Sequence, residues 1–319
     1  MIIQWYPGHM SKALRMMEKE MNLVDLAIYV LDSRAPFSCV NPSFKSMTAG
    51  KPVIYVLNKS DLADPKKTVE WAKFFEKENT KSIILNSTLS NSSKKVVESI
   101  KELLSKKLEK NRKKGIIMPL RALVIGVPNS GKSTLVNNLC NKGKTVTGNK
   151  PGVTKGKQWV KIANNIELLD TPGTLWPSFE DERIALHLAY IGSIKDQVLD
   201  LEEVALKLIE DLKNKDASIL ENRYNISIND LTPIEIYEEI CKKRGFILKG
   251  AEYDYKRAAT AILDDFRKGR MGQITLDTFE HIEENKKIIK AYKKQKLEKQ
   301  MLKQKERKQR VENYKRRKK

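Results

Sequence analysis

The chain contains 319 residues, and 40% of them are hydrophobic, which is enough apolar material for an α/β domain and a second, smaller domain. Lys and Arg number 61 against 40 Asp and Glu, and the net charge of +21 indicates a polyanionic partner, with nucleic acid ranked ahead of an anionic membrane surface. No apolar run reaches the length of a membrane span, and the first residues, MIIQWYPGHMSK, lack the apolar stretch of a signal peptide. Three widely spaced cysteines fit neither a disulfide framework nor a zinc ligand set, so we expect a protein of the reducing cytoplasm.

The predicted elements alternate between strands and helices up to residue 173. Residues 10–24 carry apolar side chains at intervals of three and four, which predicts an amphipathic helix. Apolar, β-branched runs further on predict buried parallel strands. The predicted strands are 26–33, 52–59, 81–87, 120–127 and 165–173, and the helices between them are 41–51, 68–79, 93–110 and one that starts at Lys132. We interpret the lysine-rich residues 110–115 as a linker and the glycine- and lysine-rich residues 148–159 as a loop.

Beyond Trp176 the strand pattern stops and helical periodicity replaces it. The predicted helices are 181–213, 232–244, 253–268 and 275–290. The last stretch, 286–319, holds 17 Lys and Arg against three Asp and Glu, so it contributes +14 of the net charge. It shows no sustained heptad, and both a long solvated helix and a disordered tail remain open. Either form would bind RNA phosphates with little sequence preference, the alternative being a charge run that is merely solvated.

A phosphate-binding loop is the strongest single motif. GVPNSGKS at 126–133 matches G-x-x-x-x-G-K-[ST] and lies between an apolar strand and a helix, where its N–H groups would surround phosphates. Lys132 would reach the β- and γ-phosphates, and Ser133 would bind Mg²⁺. The neighbouring residues expected to contact the nucleotide are Pro128, Asn129, Ser130, Gly131 and Thr134. The alternative is a chance glycine loop in a strand–helix turn.

A second phosphate motif follows about forty residues later. In DTPG, Asp170 would hold Mg²⁺ through water, and the Gly173 N–H would meet the γ-phosphate. Thr154, in PGVTKG, is the candidate for a switch threonine that binds Mg²⁺ when the γ-phosphate is present. Thr145 and Thr147 compete for this role.

The segment NKSD at 58–61 predicts recognition of guanine. The Asp61 carboxylate can accept two hydrogen bonds from the guanine ring N–H and amine, whereas adenine offers no such pair. Asn58 would hold the loop, the Lys59 stem would cover the base, and Ser60 lies between them and Asp61. At the end of the next strand, Asn86 and Ser87 are placed to support the base. The alternative for NKSD is an ordinary turn after a strand.

These motifs occur in an unusual order. The common G domain runs phosphate loop, switch threonine, DxxG, NKxD and the last base-contacting loop, but here the last two come first. Cutting that fold between its third and fourth strands, and rejoining the old ends through residues 105–120, keeps every strand's neighbours. The predicted fold is therefore α/β: a circularly permuted P-loop G domain at 1–176, with a mostly parallel sheet and helices on both faces. An all-α domain at 177–285 and a basic tail at 286–319 follow.

The segments WYPGHMSKA, DSRAPFS, NKSD, GVPNSGKST, PGVTKGKQW and DTPGTLWP, in this order, resemble the circularly permuted GTPases. The greatest likeness is to the bacterial ribosome biogenesis GTPase A (RbgA/YlqF) family, and it includes FRKGRMG at 266–272. The resemblance implies a cytoplasmic factor in late assembly of the large ribosomal subunit, with a GTPase that the ribosomal particle stimulates. Two departures are Thr174, where the family has an aliphatic residue, and the tail from 286 onward.

Catalysis needs a group other than the glutamine that often follows DxxG, because Thr174 stands there. His9 follows a Pro-Gly turn and could swing to the γ-phosphate once the particle holds its segment; the resemblance supports this role. The alternative is a surface histidine on an RNA phosphate. We expect His187 to be packed or half-exposed on a helix face and His281 to be solvated.

Two further predictions concern ions and RNA. Asn129 resembles an asparagine that helps related GTPases bind K⁺, the alternative being a plain loop residue. Arg267, Lys268 and Arg270 are predicted to contact rRNA, although cations at a helix end also complement the helix dipole.

The most consistent function is a GTP- and Mg²⁺-dependent GTPase that binds the maturing large (50S) subunit through rRNA and leaves after hydrolysis. Its alternative is an RNA-binding module with a structural, non-hydrolysing nucleotide site. A GTPase held at a membrane surface ranks last, because the tail lacks an ordered apolar face. We expect a monomer without stable membrane association.

Overall fold

The computed structural model describes residues 5–89, 94–115, 118–140, 158–163, 165–292, 294–295 and 298. Six strands form one sheet in the order β3-β2-β1-β4-β6-β5. Neighbouring strands are parallel throughout, except that β5 runs antiparallel to β6. The strands are β1 (Leu26–Asp32), β2 (Val53–Asn58), β3 (Thr80–Ile84), β4 (Leu120–Ile125), β5 (Gln158–Ala163) and β6 (Ile166–Asp170).

Strand β1 lies in the middle of the sheet and joins the two halves of the chain. All seven of its residues are buried, as its unbroken apolar sequence predicts for a parallel strand covered on both faces. It pairs with β2 on one side, where Asp32 lies opposite Asn58, and with β4 on the other, where Tyr29 lies opposite Ile125. The loops that follow β1, β2, β4 and β6 therefore emerge at one edge of the sheet.

Helices cover both faces of this sheet. Helix α1 buries Met10, Leu14, Met17 and Met21 at the predicted spacing of three and four. The Asp64 side chain caps α3 by accepting from Lys67 N, and a proline occupies its first turn. The helices of the first half and the phosphate loop are α1 (Gly8–Met21), α2 (Pro42–Met47), α3 (Pro65–Phe75), α4 (Lys94–Leu103), α5 (Ser105–Lys113) and α6 (Lys132–Cys140).

After β6 the regular secondary structure of the described residues is helical, apart from one isolated bridge between Ile247 and Tyr253, and loops connect the helices. Helix α8 packs against α10 and α11. The Thr232–Glu235 capping box begins α10, and Gly245 ends it in the left-handed conformation. The helices are α7 (Glu182–Tyr190), α8 (Leu201–Lys215), α9 (Ser218–Tyr224), α10 (Pro233–Arg244), α11 (Tyr255–Arg267) and α12 (279–292).

The helical part shares a hydrophobic core with one face of the sheet. Buried side chains of that face, among them Ala27 and Leu123, belong to the same apolar cluster as Leu188 of α7, Leu208 of α8 and Ile262 of α11. Helices α4 and α6 cover the opposite face in a second cluster. Because well-packed side chains resist small displacements, the helical part and the sheet's carboxyl edge are mechanically connected.

Most predicted elements are confirmed, and five predictions need correction. The predicted loop 148–159 overlaps strand β5 at residues 158 and 159, and β5 was not predicted as a strand because this edge strand lacks a continuous apolar run. The lysine-rich linker 110–115 is helical as far as Lys113. The predicted helix 181–213 is interrupted at 191–200, helix α9 was missed, and α12 begins at 279 rather than 275. In the described part of the chain, no helix combines the length and apolarity needed to cross a membrane.

Candidate nucleotide site

The predicted phosphate loop, Gly126 to Ser133, connects β4 to α6. Gly131 has φ +94°, and a Cβ on it would overlap the Asn58 side-chain amide, so glycine is required by both conformation and space. The Ser130 hydroxyl is buried and donates to Val127 O at 3.0 Å, which closes the loop on itself. Thr134 lies half-buried in the first turn of α6, whose N-terminus contributes positive potential.

Lys132 is buried within this loop. Its ammonium donates to Gly126 O at 3.1 Å and Val127 O at 2.7 Å. Burial lowers the pKa of Lys132 to about 8, and the charge of Asp170 opposes the shift. A partly desolvated cation beside backbone N–H groups favours an anionic ligand. This environment is consistent with the predicted contact between Lys132 and the β- and γ-phosphates.

Asp170 ends β6 beside the first turn of α6. The Ser133 hydroxyl donates to its Oδ2 at 3.4 Å, and its Oδ1 is buried without a hydrogen-bond partner among the described residues. Burial raises the pKa of the Asp170 carboxyl, while Lys132 opposes this. The described residues contain no group of three or more His, Cys, Asp and Glu side chains that could hold a metal ion by themselves. The Ser133–Asp170 pair fits Mg²⁺, which keeps water and phosphate oxygens as most of its ligands. Thr154, Thr145 and Thr147 lie outside the described residues.

The DTPG turn lies directly against the phosphate loop. A Cβ on Gly173 would approach Pro128 Cα to 2.6 Å and Lys132 Nζ to 2.9 Å, so only glycine permits this contact. Thr174 N donates to Gly126 O at 3.2 Å. The Thr174 hydroxyl is buried without a hydrogen-bond partner among the described residues. The two predicted phosphate motifs therefore lie in contact with each other.

Asn58 connects three loops of the candidate site. Its side-chain amide donates to Ser130 O at 2.8 Å, and its Oδ1 accepts from Ser87 N at 2.9 Å and Ser87 Oγ at 2.7 Å. Asn58 and Ser87 are both buried. Asn138 of α6 adds a contact by donating to Ser87 O. One asparagine thus holds three segments together: the loop at 58–61 that is predicted to read the base (the base-reading loop), the phosphate loop and the residues after β3.

The rest of NKSD faces the edge of the sheet. Lys59 adopts φ +56° and ψ +38°, and its ammonium lies 2.9 Å from Asp32 Oδ2. Ser60 N donates to Leu85 O at 3.3 Å. The Asp61 side chain is exposed, which leaves its carboxylate accessible to a base. Asn86 is partly buried, and its Oδ1 accepts from Thr88 N at 2.9 Å in a local turn.

Asn129 links the phosphate loop to the helical part. It adopts φ +58°, a conformation that asparagine tolerates, and its amide donates to Gly192 O at 2.7 Å. Ser193 Oγ donates to Pro128 O at 2.7 Å in the same contact. The K⁺ role of Asn129 stays a prediction.

The three histidines occupy different environments. His9 is exposed at the start of α1. Four residues before it, the Trp5 ring centre lies 5.9 Å from the Lys195 ammonium. Lys195 is three residues beyond Gly192, which contacts the phosphate loop. His187 is buried, with Nδ1 2.8 Å from Asp277 Oδ1, so it is packed, one of the two environments expected. The expectation of a solvated His281 was wrong: it is half-buried, and burial lowers its pKa.

The predicted RNA-contacting residues all form ion pairs within the chain. Arg267 donates to Asp196 through two 2.8 Å bonds, while Lys268 and Arg270 pair with Asp264 at 2.9 Å and 3.1 Å. Arg267 is the most enclosed of the three, since its side chain is 22% exposed. RNA binding by these residues stays a prediction.

Sequence reasoning assigned no role to Asp32 and Arg34, although both lie beside the base-reading loop. Asp32 is fully buried and pairs with both Arg34 and Lys59. Although burial alone would raise the pKa of Asp32, the two cations hold it well below its usual range. The sequence contained one signal for this pair. Asp32 and Arg34 form an Asp-x-Arg sequence at the end of an otherwise apolar strand, and charged residues at such a buried position require a structural or functional explanation.

A phosphate loop, a second glycine turn and a base-reading loop meet at the carboxyl edge of a mostly parallel sheet, and this arrangement defines a P-loop GTPase domain. A family model described as "50S ribosome-binding GTPase" matches residues 121–237. The chain is 38% identical over 279 residues to ribosome biogenesis GTPase A of Priestia megaterium, covering 87% of this chain and 97% of that protein. The Thermotoga maritima protein of the same name is 32% identical over 284 residues, covering 88% and 96%.

Solved structures agree with these sequence comparisons. GNP-bound YlqF from T. maritima matches with a TM-score of 0.58 at 27% identity, covering 83% of this chain and 97% of that one. A GDP-bound YlqF structure matches with a TM-score of 0.57 at 28% identity, covering 83% and 100%. The chain belongs to the ribosome biogenesis GTPase A family.

Proposed function

We propose that this chain is a GTPase that binds GTP with Mg²⁺, associates with the maturing large ribosomal subunit and leaves it after hydrolysis. The observation that carries the proposal is the Asn58 hydrogen-bond set, which joins the guanine loop to the phosphate loop. An ordinary turn after β2 would not require a buried asparagine bound to Ser130 and Ser87. The order of the motifs and the strand order support a circularly permuted G domain.

The candidate roles follow from position and charge. Asp61 accepts from the guanine edge, Lys132 binds the β- and γ-phosphates, and the Gly173 N–H faces the γ-phosphate. Ser133 and Asp170 hold Mg²⁺, which supplies charge to neutralise the phosphate oxygens during hydrolysis. The buried Asp170 Oδ1, which lacks a partner among the described residues, supports this assignment. Hydrolysis adds water at the γ-phosphorus and breaks the bond between that phosphorus and the β–γ bridging oxygen, giving GDP and phosphate.

His9 is our candidate for orienting the attacking water. Thr174, which follows DTPG, has a buried side chain, so it does not replace an exposed glutamine there. His9 is exposed on a segment that lies near the 191–196 loop, and that loop contacts the phosphate loop through Gly192. Binding of the ribosomal particle would fix this segment and raise the rate of hydrolysis.

The partner is inferred from family and charge. The relatives carry ribosome biogenesis in their names, and a net charge of +21 suits an RNA surface. We propose a G domain at 1–176, an rRNA-binding helical region at 177–285 with Arg267, Lys268 and Arg270 near its contact surface, and a basic tail at 286–319. The protein acts as a cytoplasmic monomer, and Asn129 is a candidate K⁺ ligand.

Sedimentation with ribosomal subunits tests the proposal. The protein should sediment with large-subunit particles in a non-hydrolysable GTP analogue and stay in the supernatant with GDP. Small subunits serve as the control for general attraction to RNA. Equal sedimentation with both subunits, independent of the nucleotide, would leave only a non-specific RNA-binding protein.

A further inference from the structure

We propose that Asp32 and Arg34 form a buried relay that positions Lys59 at the guanine site and couples nucleotide binding to the carboxyl end of helix α11. Both are positioning residues, because they act on the nucleotide through Lys59. The inference rests on the proposed guanine-nucleotide site. It adds a physical connection between that site and the region proposed to meet rRNA.

The first half of the relay joins Lys59 to Asp32. The Lys59 backbone is in the left-handed region, which is uncommon for a lysine and persists where surrounding contacts impose it. Its ammonium pairs with Asp32 Oδ2 at 2.9 Å, at the end of the neighbouring strand β1. This contact directs the aliphatic stem across the edge of the sheet, where a base bound by Asp61 would lie.

The second half joins Asp32 to α11. Arg34 Nε donates to Asp32 Oδ1 at 3.0 Å and Nη2 to Oδ2 at 2.8 Å, a two-point contact that only arginine provides. Its remaining nitrogen, Nη1, donates to Phe266 O at 3.2 Å and Arg267 O at 3.1 Å. These are carbonyls at the end of α11, where the helix dipole favours a cation; Phe266 O also accepts from Gly269 N at 3.1 Å. Arg34 is 1% exposed, so neither contact is shared with solvent.

The same end of α11 reaches the phosphate loop by a separate route. The Arg267 guanidinium donates to Ala189 O at 2.9 Å and Tyr190 O at 3.1 Å, at the end of α7. The chain then turns at Gly192, whose carbonyl accepts from Asn129 at 2.7 Å. One helix end is therefore linked to both the base-reading and the phosphate-binding loop.

The segment after α11 adds direct contacts to the guanine loop. Gln273 Nε2 donates to Asp61 O at 3.2 Å, and Ile274 N donates to Leu62 O at 3.1 Å. Displacing the end of α11 would therefore change the positions of Lys59 and Asp61 together. Because coupling between two binding sites is reciprocal, a nucleotide that orders this loop also orders the helix end.

A double-mutant cycle tests the relay. The affinity for a fluorescent GDP analogue is measured for wild type, Lys59→Met, Arg34→Lys and the double variant. Each single change should weaken binding by about 10-fold, and the double variant should lose clearly less than the product of the two single losses, because both changes interrupt the same chain of contacts. Independent, multiplying losses would overturn the relay, as would binding by Arg34→Lys within twofold of wild type.

Arg183→Lys is the matched control. Arg183 makes the same two-point contact with Asp181, through Nε at 3.2 Å and Nη2 at 2.9 Å, in the same Asp-x-Arg spacing. The remaining nitrogen of the Arg183 guanidinium, Nη1, contacts Glu284, whereas Nη1 of Arg34 contacts the end of α11. Arg183→Lys should bind GDP as wild type does, and a loss equal to that of Arg34→Lys would refute a specific role for the buried pair. If the wild-type chain binds no guanine nucleotide, the proposed function fails rather than the relay alone.

Hydrogen exchange keeps the proposal testable if Arg34→Lys does not fold. GDP should slow amide exchange at 264–270 in the wild-type chain. At saturating GDP this protection should be smaller in Lys59→Met, a change at a side chain that is 26% exposed and outside the core, because the contacts through Gly192 and Gln273 remain. Unchanged exchange at 264–270 on adding GDP to wild type would overturn the coupling.

Discussion

Replacing Asn58 by alanine would test whether one buried side chain assembles the nucleotide site. The change removes three hydrogen bonds, to Ser130 O, Ser87 N and Ser87 Oγ. A buried polar group left without a partner costs about 1–3 kcal/mol, and two of the groups left are backbone groups that cannot turn away. We therefore expect the local arrangement to lose about 3 kcal/mol of stability.

That loss would reappear as weaker nucleotide binding. If the three loops separate in the free variant and reassemble only around the ligand, about 3 kcal/mol corresponds to roughly 100-fold weaker GDP binding. Isothermal calorimetry gives the affinity, and urea unfolding gives the free energy of unfolding. In a Ser87→Ala background, the effect of Asn58→Ala should be smaller by about 1 kcal/mol, because the two side chains interact.

Asn41→Ala provides a matched control. Asn41 is equally buried, but it caps α2 by accepting from Ser43 N at 3.0 Å and touches neither nucleotide loop. Losing an N-cap should lower stability by about 1 kcal/mol without changing the affinity for GDP. If Asn58→Ala lowers stability and still binds GDP within threefold of wild type, Asn58 is an ordinary core hydrogen bond and the reasoning is refuted.

Four further predictions concern the site and the charge distribution. Asp61→Asn should weaken GTP binding at least 10-fold, because an amide cannot accept both hydrogen bonds from guanine. His9→Ala should leave GTP binding and the slow intrinsic rate unchanged, while particle-stimulated hydrolysis in single-turnover assays falls by about 100-fold or more. Since the pKa of Lys132 is about 8 in the free protein and a bound phosphate would raise it, nucleotide binding should take up a proton above pH 8. Calorimetry in buffers of different ionisation enthalpy would detect this uptake, and affinity should fall as pH rises through that range. Removing 286–319 should leave GDP binding intact and reduce the salt dependence of particle binding, by about one unit of log–log slope for each RNA phosphate that the tail neutralises.

Each prediction has an outcome that contradicts it. Wild-type GTP affinity in Asp61→Asn would mean that another group reads the base. Equal stimulation of His9→Ala and wild type by the particle would leave a bound K⁺ or a group on the RNA as the agent. Binding heats independent of the buffer at pH 9 would show that Lys132 stays protonated in the free protein. An unchanged salt slope after truncation would show that the tail does not meet RNA.

Local patterns in the sequence were sufficient for the phosphate loop, the DTPG turn and NKSD. Each is a short run whose chemistry depends on neighbouring residues: glycines that allow positive φ, a lysine at the start of a helix, a carboxylate after a strand. The strands β1, β2 and β4 were predictable for the same reason, since a buried parallel strand is a continuous apolar run. Strand β5 was missed because an edge strand needs no such run, and Trp159 on it is 37% exposed.

The sequence by itself determined which residues could bind a guanine nucleotide; only the tertiary structure decided how they are held together and to what they are connected. Arg34 and Phe266 are separated by 232 positions, and their contact exists only because α11 ends above the carboxyl edge of β1. Likewise, Asn58 meets Ser130 across 72 positions because β1 places their two strands on either side of it. Such contacts depend on packing between distant elements, and no local propensity or spacing encodes which carbonyl a buried guanidinium will reach.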